Sequence, residues 1–235
     1  MTLVVEQRPS DSPYIDQVMW GWSASAGSAC RPAETHWHMV FLKHRGQVHP
    51  LLVGPWSSAG PVQWGAGGEL LWIRFKLGTF MPNIAARTFL NTELELPGGA
   101  GQSFWLNSAT WQFPNPDNVE TFVNRLVRDE VLLHDPLVPA VLRDEPHDAA
   151  SRTVRYRFQR ATGLTQTHVR QHQRAHEAVA LLQQGVPILD VVFHLGYFDQ
   201  PHLTRSLKRI IGTTPAQYQQ QPAEPLVRYN AAAAS

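Results

Sequence analysis

The order of apolar and polar residues divides the chain in two. From about residue 14 to 115 the apolar runs are short: Trp37–Leu42, Val48–Val53 and Leu70–Leu77 stand between turn-formers at Gly46, Gly54-Pro55, Gly60-Pro61, Gly65 to Gly68 and Pro97 to Gly101. Trp72, Arg74 and Lys76 alternate with Ile73, Phe75 and Leu77, the period of a strand with two different faces. Many short strands joined by Gly/Pro turns predict a sandwich or small barrel over residues 1–115. The period then lengthens. Asn115-Pro116-Asp117 supplies a cap, a first-turn proline and an acid at the positive helix end. Val119, Phe122, Val123, Leu126 and Val127 follow as a stripe, in a helix expected over 116–134. That stripe either packs on the strands or pairs with its copy in a dimer.

Residues 135–221 read as helical throughout. Val138, Val141 and Leu142 form a short apolar face broken by Pro146. A helix over Ala150–Thr162 buries Val154, Phe158 and Ala161, leaving Arg152, Arg155, Tyr156 and Gln159 opposite. Thr165 caps a long helix to Gln184, ended by Gly185, with a spine that includes His172 and His176. Ile188, Val191, Val192 and Leu195 mark a short helix after Pro187. Past Gly196, Asp199 caps another, with Pro201 in its first turn and Leu203, Leu207, Ile210 and Ile211 as its stripe. Gly212 ends it, and Thr214-Pro215 opens a new start. At ~100° per residue Pro201, Arg205 and Arg209 share the outer face, flanked by His202 and Lys208. This is helix-turn-helix geometry; an αα-hairpin with a solvated basic face has the same pattern. The tail, 222–235, is expected to fray.

Charge sharpens that choice. The net +1 of the 235 residues hides an asymmetry: residues 1–150 hold 10 Arg/Lys and 15 Asp/Glu, residues 151–235 hold 10 and 4. Nine of those last ten cations are arginine, which reads guanine edges and phosphates through two donors at once. An acidic partner is therefore expected for the C-terminal half only. A single cysteine, Cys30, excludes an internal disulfide framework and fits a reducing compartment. The first residues lack a basic, apolar leader, and no run approaches the ~18 apolar residues that span a membrane. A cytoplasmic protein is expected.

The stretch Gly196-Tyr197-Phe198-Asp199-Gln200-Pro201-His202-Leu203-Thr204-Arg205-Ser206-Leu207-Lys208-Arg209, followed by Gly212-Thr213-Thr214-Pro215-Ala216-Gln217-Tyr218, resembles the C-terminal signature of the AraC/XylS family of transcription regulators. The resemblance covers roughly 135 to 221. It implies two helix-turn-helix units joined by one rigid helix, with both reading helices on one face of DNA, in successive major grooves that recur every ~34 Å. Carried over by position, the DNA contacts are Arg152, Arg155 and Tyr156 in the first unit and Gln200, Pro201, His202, Thr204 and Arg205 in the second. Lys208 and Arg209 fall where phosphate contacts are expected. The first unit departs from the family pattern: its lead-in is shortened to DPLVPAVLRDEPHDAA, and Ala150 stands where a serine is customary.

For the strand-rich half the resemblance implies a cupin-like barrel that senses a small molecule, giving an α+β chain overall. The resemblance implies double-stranded DNA as the partner, with an effector, RNA polymerase and a second copy of the chain as further expected ones. His36 and His38, two apart, could share a metal. A metal cupin would carry an acid where Leu42 and Lys43 stand and a later histidine where Gln63-Trp64-Gly65 stands, so no metal or other cofactor is expected. All eight tryptophans lie in this half. Trp37 and Trp72 are candidates for an aromatic ligand wall and Arg74 for an anion anchor, although rings of this kind also fill cores. No nucleophile elbow, phosphate loop or zinc helix is present, so no catalysis is expected. Two other functions remain open: a DNA-binding protein whose barrel only dimerises, and a cupin-like enzyme with a vestigial helix-turn-helix.

Overall fold

A computed structural model of the chain describes residues 3–220 and 228–230. Its strands are β1 (Leu3–Pro9), β2 (Ile15–Ser23), β3 (Gly27–Arg31), β4 (His38–His44), β5 (Gln47–Val53), β6 (Gly60–Trp64), β7 (Gly68–Phe75), β8 (Thr79–Phe80), β9 (Glu93–Glu95), β10 (Ser103–Leu106) and β11 (Ala109–Gln112). Helix α1 (Val119–Arg128) and strand β12 (Leu133–His134) follow, then α2 (Leu137–Leu142), α3 (Ser151–Thr162), α4 (Gln166–Gln183), α5 (Ile188–His194), α6 (Gln200–Ile210), α7 (Pro215–Gln220) and strand β13 (Arg228–Asn230).

The N-terminal half is β-rich, as the alternation predicts, but its sheets are open. The main sheet runs β13-β1-β2-β7-β4-β5-β9, and β3–β6, β10–β11 and β8–β12 are separate two-stranded ladders. No ladder closes into a barrel among the described residues. Cross-strand rows give the main sheet two different faces. Val18, Ile73, Met39 and Leu52 form one row, and Trp20, Leu71 and Phe41 the next. They pack against Phe104, Trp111 and α1 in the largest core. The opposite face carries Arg74, His38 and Trp72.

Helix α1 begins later than expected and ends earlier. The side chain of Asn115 accepts the N–H groups of Asp117 and Asn118 in an Asx turn, at 3.0 and 3.1 Å, so the helix starts at Val119. It stops at Arg128, and Leu133–His134 turn back to pair with β8. Val119, Phe122, Val123 and Leu126 are buried in the sheet core. Of the two roles expected for this stripe, packing on the strands is the one it fills, and the same surface is not free for dimer pairing. The tail also departs from expectation at one place. Residues 228–230 add to β1 as a parallel edge strand, while 222–227 and 231–235 lie outside the described residues.

The helical half has two smaller cores, and each incorporates a residue from the strand-rich half. Phe80 of β8 joins Val138, Val154, Phe158 and Val169. Ala33 joins Ala175, Ala178, Val191, Leu203 and Leu207. At this second contact the Ala33 N–H donates to the Ile210 carbonyl and the Ala59 N–H to the Arg209 carbonyl, both at 2.7 Å. Two glycines allow the approach. Gly163, at φ +72°, sits where a Cβ would lie 3.1 Å from the Ala86 carbonyl carbon. Gly212, at φ +91°, sits where a Cβ would lie 2.5 Å from the Cys30 sulfur. Both positions combine a left-handed backbone with a close neighbour that an added Cβ would have to push aside.

Candidate nucleic-acid interface

The second helix-turn-helix unit is built from local signals that all agree. Helix α5 buries Val191 and Val192, and the Tyr197 N–H closes the turn by donating to the Val192 carbonyl at 2.9 Å. Asp199 caps α6 by accepting the His202 N–H at 2.6 Å, with Pro201 in the first turn. Leu203, Ser206, Leu207 and Ile210 face inward. Gln200, Pro201, Arg205, Lys208 and Arg209 are exposed on the opposite side, as the helical period predicts. His202 and Thr204 are half-buried. The His202 ring is engaged locally: Nδ1 accepts the Phe198 N–H at 3.3 Å, and its edge meets Tyr197 with centroids 5.2 Å apart.

The first unit exposes its expected readers too. Arg152, Arg155 and Tyr156 lie on the outer face of α3, with Tyr156 63% exposed. Its surroundings differ. Ala150, at the N-cap of α3, makes no side-chain cap. Eight residues, 143–150, separate α2 from α3, whereas five, 195–199, separate α5 from α6. That longer loop is acidic. Asp144 pairs with Arg170 at 2.5 Å, and Glu145 with Arg143 at 2.5 Å. Both acids line, with Arg155, a hollow of about 680 Å³. On the inner side of α3, Arg157 donates to Asp135 through Nε at 2.8 Å.

Two residues that sequence reasoning missed join the second unit's basic face. Gln171 and Arg174, one helical step apart on α4, line a notch of about 220 Å³ together with His202, Arg205, Ser206 and Arg209. The only signal for them in the sequence is their i, i+3 spacing on a helix whose position against α6 was not legible.

One comparison with known proteins is decisive here: residues 148–221 match a family model described as a helix-turn-helix domain. The match shows a helix-turn-helix domain over this segment and supports the AraC type. No curated protein and no solved structure matches the chain. The match spans α3 to α7 and leaves out α2, the lead-in that departs from the family pattern. It supports a DNA-binding transcription regulator. Among the described residues no helix is long and apolar enough to cross a membrane.

The ligand candidates in the strand-rich half are not gathered around one cavity. Trp37 is 3% exposed, stacks on Phe75 with centroids 4.0 Å apart and donates its indole N–H to the Thr79 carbonyl. It is a core residue rather than a ligand wall. Arg74 donates to Asp16 and lies 3.7 Å from Glu34, so its charge is already matched. Trp72 packs its half-buried ring against His38, with centroids 5.0 Å apart. His36 lies in the bend before β4, its Nδ1 2.7 Å from Glu34, and does not share a strand face with His38. Among the described residues no group of three or more His, Cys, Asp and Glu could hold a metal ion.

A cleft of about 900 Å³ lies elsewhere, at the open end of the core-facing side of the main sheet. Trp20, Trp22, Phe41 and Phe113 line it, with the Lys43–Glu69 pair at 3.0 Å among its polar groups.

At the domain contact, His172 is buried on α4 with Nε2 2.9 Å from the Ala33 carbonyl. Burial pushes its pKa below the usual histidine range, and the neutral ring donates to that carbonyl. Burial likewise drives His38 down to about 3. Glu34 is held well below the usual carboxylate range: desolvation opposes its charge, and the His36 hydrogen bond and charge override it.

Proposed function

We propose that the chain is a sequence-specific transcription regulator, not an enzyme, and that its strand-rich half binds a small molecule that alters DNA binding. The observation that carries this reading is the exposed face of α6: Gln200, Pro201 and Arg205 at the helix start, backed by Lys208 and Arg209, within a matched helix-turn-helix domain. The N-terminal residues of a reading helix are those that reach base edges. Gln200 can pair with adenine and Arg205 with guanine, Pro201 can make apolar contact only, and Lys208 and Arg209 can hold phosphates. Arg152, Arg155 and Tyr156 serve the first unit in the same way.

The effector reading rests on the cleft at Trp20 and Trp22, whose aromatic walls and charged rim suit an apolar molecule with one polar end. The Ala33 and Phe80 contacts tie the strand-rich half to both units, which gives bound ligand a physical route to the DNA face. A cupin-like description of this half fits its strand content and the position it holds before the DNA-binding domain.

The test is a titration of the full chain with DNA recovered by random-site selection, at several salt concentrations. Preference over a scrambled duplex and a steep fall with salt are expected. If selection recovers no preferred sequence, the regulator reading fails. An effector that shifts DNA affinity must itself bind differently when DNA is present, by the same factor.

A further inference from the structure

The notch between α4 and α6 gathers several arginines around one hollow. Arg174, Arg205 and Arg209 converge on a hollow of about 220 Å³, and no carboxylate stands within ion-pair distance of any of them among the described residues. Other arginines of the helical half do have acid partners: Arg143 with Glu145, Arg157 with Asp135 and Arg170 with Asp144. Three like charges around one hollow repel one another, so the arrangement is costly until an anion enters it.

The guanidinium groups are also held in place. Arg174 lies over the Tyr197 ring, 4.4 Å from its centroid. Arg209 donates Nη2–H to the Gln171 side-chain oxygen at 2.9 Å. Stacking and a single neutral hydrogen bond orient the forks without cancelling their charge and leave their other donors unused. Two fixed forks facing one hollow suit a tetrahedral anion with several equivalent oxygens, such as a phosphate.

The notch also adjoins the reading face. Arg205 and Arg209, one turn apart on the exposed side of α6, form one of its walls. A helix lying in a major groove has the sugar-phosphate strand along its flank. We propose that Gln171 and Arg174 of the connecting helix, with Arg209 of the reading helix, form a seat for one DNA backbone phosphate. The proposal rests on the DNA-binding reading and adds to it a contact from α4, which lies outside both reading helices. The seat sets the register of α6 in its groove, and it carries no sequence information itself.

The test uses the full chain and its Arg174→Ala, Arg174→Lys and Gln171→Ala variants, with thermal melts to confirm that each is folded. Each is titrated with selected and random-sequence duplexes over a range of salt. Arg174→Ala is expected to weaken binding about tenfold on both duplexes, the worth of one charge-assisted hydrogen-bonded contact. It should also lower the slope of log affinity against log salt by about 1. Arg174→Lys should keep the slope and lose part of the affinity. Gln171→Ala should show a smaller, equally uniform loss. A duplex carrying one neutral methylphosphonate at the seated position should bind wild type and Arg174→Ala alike.

A wild-type chain that binds DNA, together with an Arg174→Ala variant of unchanged affinity and slope, would overturn the seat and leave the regulator reading intact. A wild-type chain that binds no DNA removes that reading itself. Calorimetric binding of inorganic phosphate that Arg174→Ala abolishes, with DNA binding unaffected, would assign the notch to a free phosphate and overturn the proposal.

Discussion

The two helix-turn-helix units share α4 but hold their reading helices differently. In the second unit Asp199 caps α6, the turn from α5 is short, and three arginines stand without a carboxylate partner among the described residues. In the first unit α3 has no side-chain cap, and its approach is an eight-residue acidic loop whose Asp144 and Glu145 border Arg155. Both expose most of their expected readers, so exposure does not separate them. The difference lies in preorganisation and in local field: the second unit gathers Arg174, Arg205 and Arg209 around a notch with no acid in its lining, while two acids stand beside Arg155 in the first. On this comparison the second unit is expected to dominate affinity and sequence choice, with the first adding a weaker contact.

The comparison breaks most readily at the domain contact. Gly212→Val forces a side chain into a left-handed backbone against the Cys30 sulfur. A loss of about 2–4 kcal/mol in denaturant unfolding is expected, with the second unit loosened more than the first. Hydrogen exchange of α6 against α3 reads which unit opens.

Next come the readers. Arg205→Ala should cost about 1–3 kcal/mol in DNA binding, concentrated at one base position, whereas Arg155→Ala should cost less than about 1 kcal/mol. Equal losses would place the two units on the same footing.

Caps give the third contrast. Asp199→Ala should cost about 1 kcal/mol of stability, and Ala150→Ser should add about 0.5–1 kcal/mol, because Ala150 already has the extended backbone of a cap. Chemical denaturation of both variants decides it. If Ala150→Ser adds nothing, the missing cap is not what weakens α3.

The smallest and most gradual effect is that of pH. His38 and His172 are neutral in the folded chain, with pKa values lowered by burial, and they regain ~6.5 on unfolding. The unfolded chain therefore binds more protons below ~6.5, so stability is full above that pH and falls as pH drops towards about 3, the value for His38. Glu34 and Glu120, with lowered pKa values, add their own loss as pH falls through the usual carboxylate range and below it. A mid-acid decline in melting temperature, reduced by His172→Gln, is the expected result. A flat profile between pH 5 and 7 would contradict the burial of these rings.

What was legible in the sequence follows the range of the interactions. The cap at Asp199, the stripe Leu203–Leu207–Ile210 and the outer face Pro201–Arg205–Arg209 depend on neighbours within one or two turns, and all stand as read. At Asn115 the sequence pattern of a cap and that of an Asx turn are the same, and its oxygen serves Asp117 and Asn118 before the helix begins. Arg74 could not be placed, because its partner Asp16 lies 58 residues away on β2. Trp37 belongs to the core for a similar reason: its indole partner, Thr79, is 42 residues distant. The contacts of Ala33 with Ile210 and of Arg174 with the second unit arise only when α4 packs on both halves, and no local pattern marks them.

The most direct test of the central claim, that the second unit does most of the reading, is random-site selection followed by per-position specificity measurement on wild type, Arg205→Ala and Arg155→Ala. One strongly read half-site that relaxes locally in Arg205→Ala and survives in Arg155→Ala is the predicted result. Two half-sites of equal weight, or a preference that only Arg155→Ala abolishes, would contradict it.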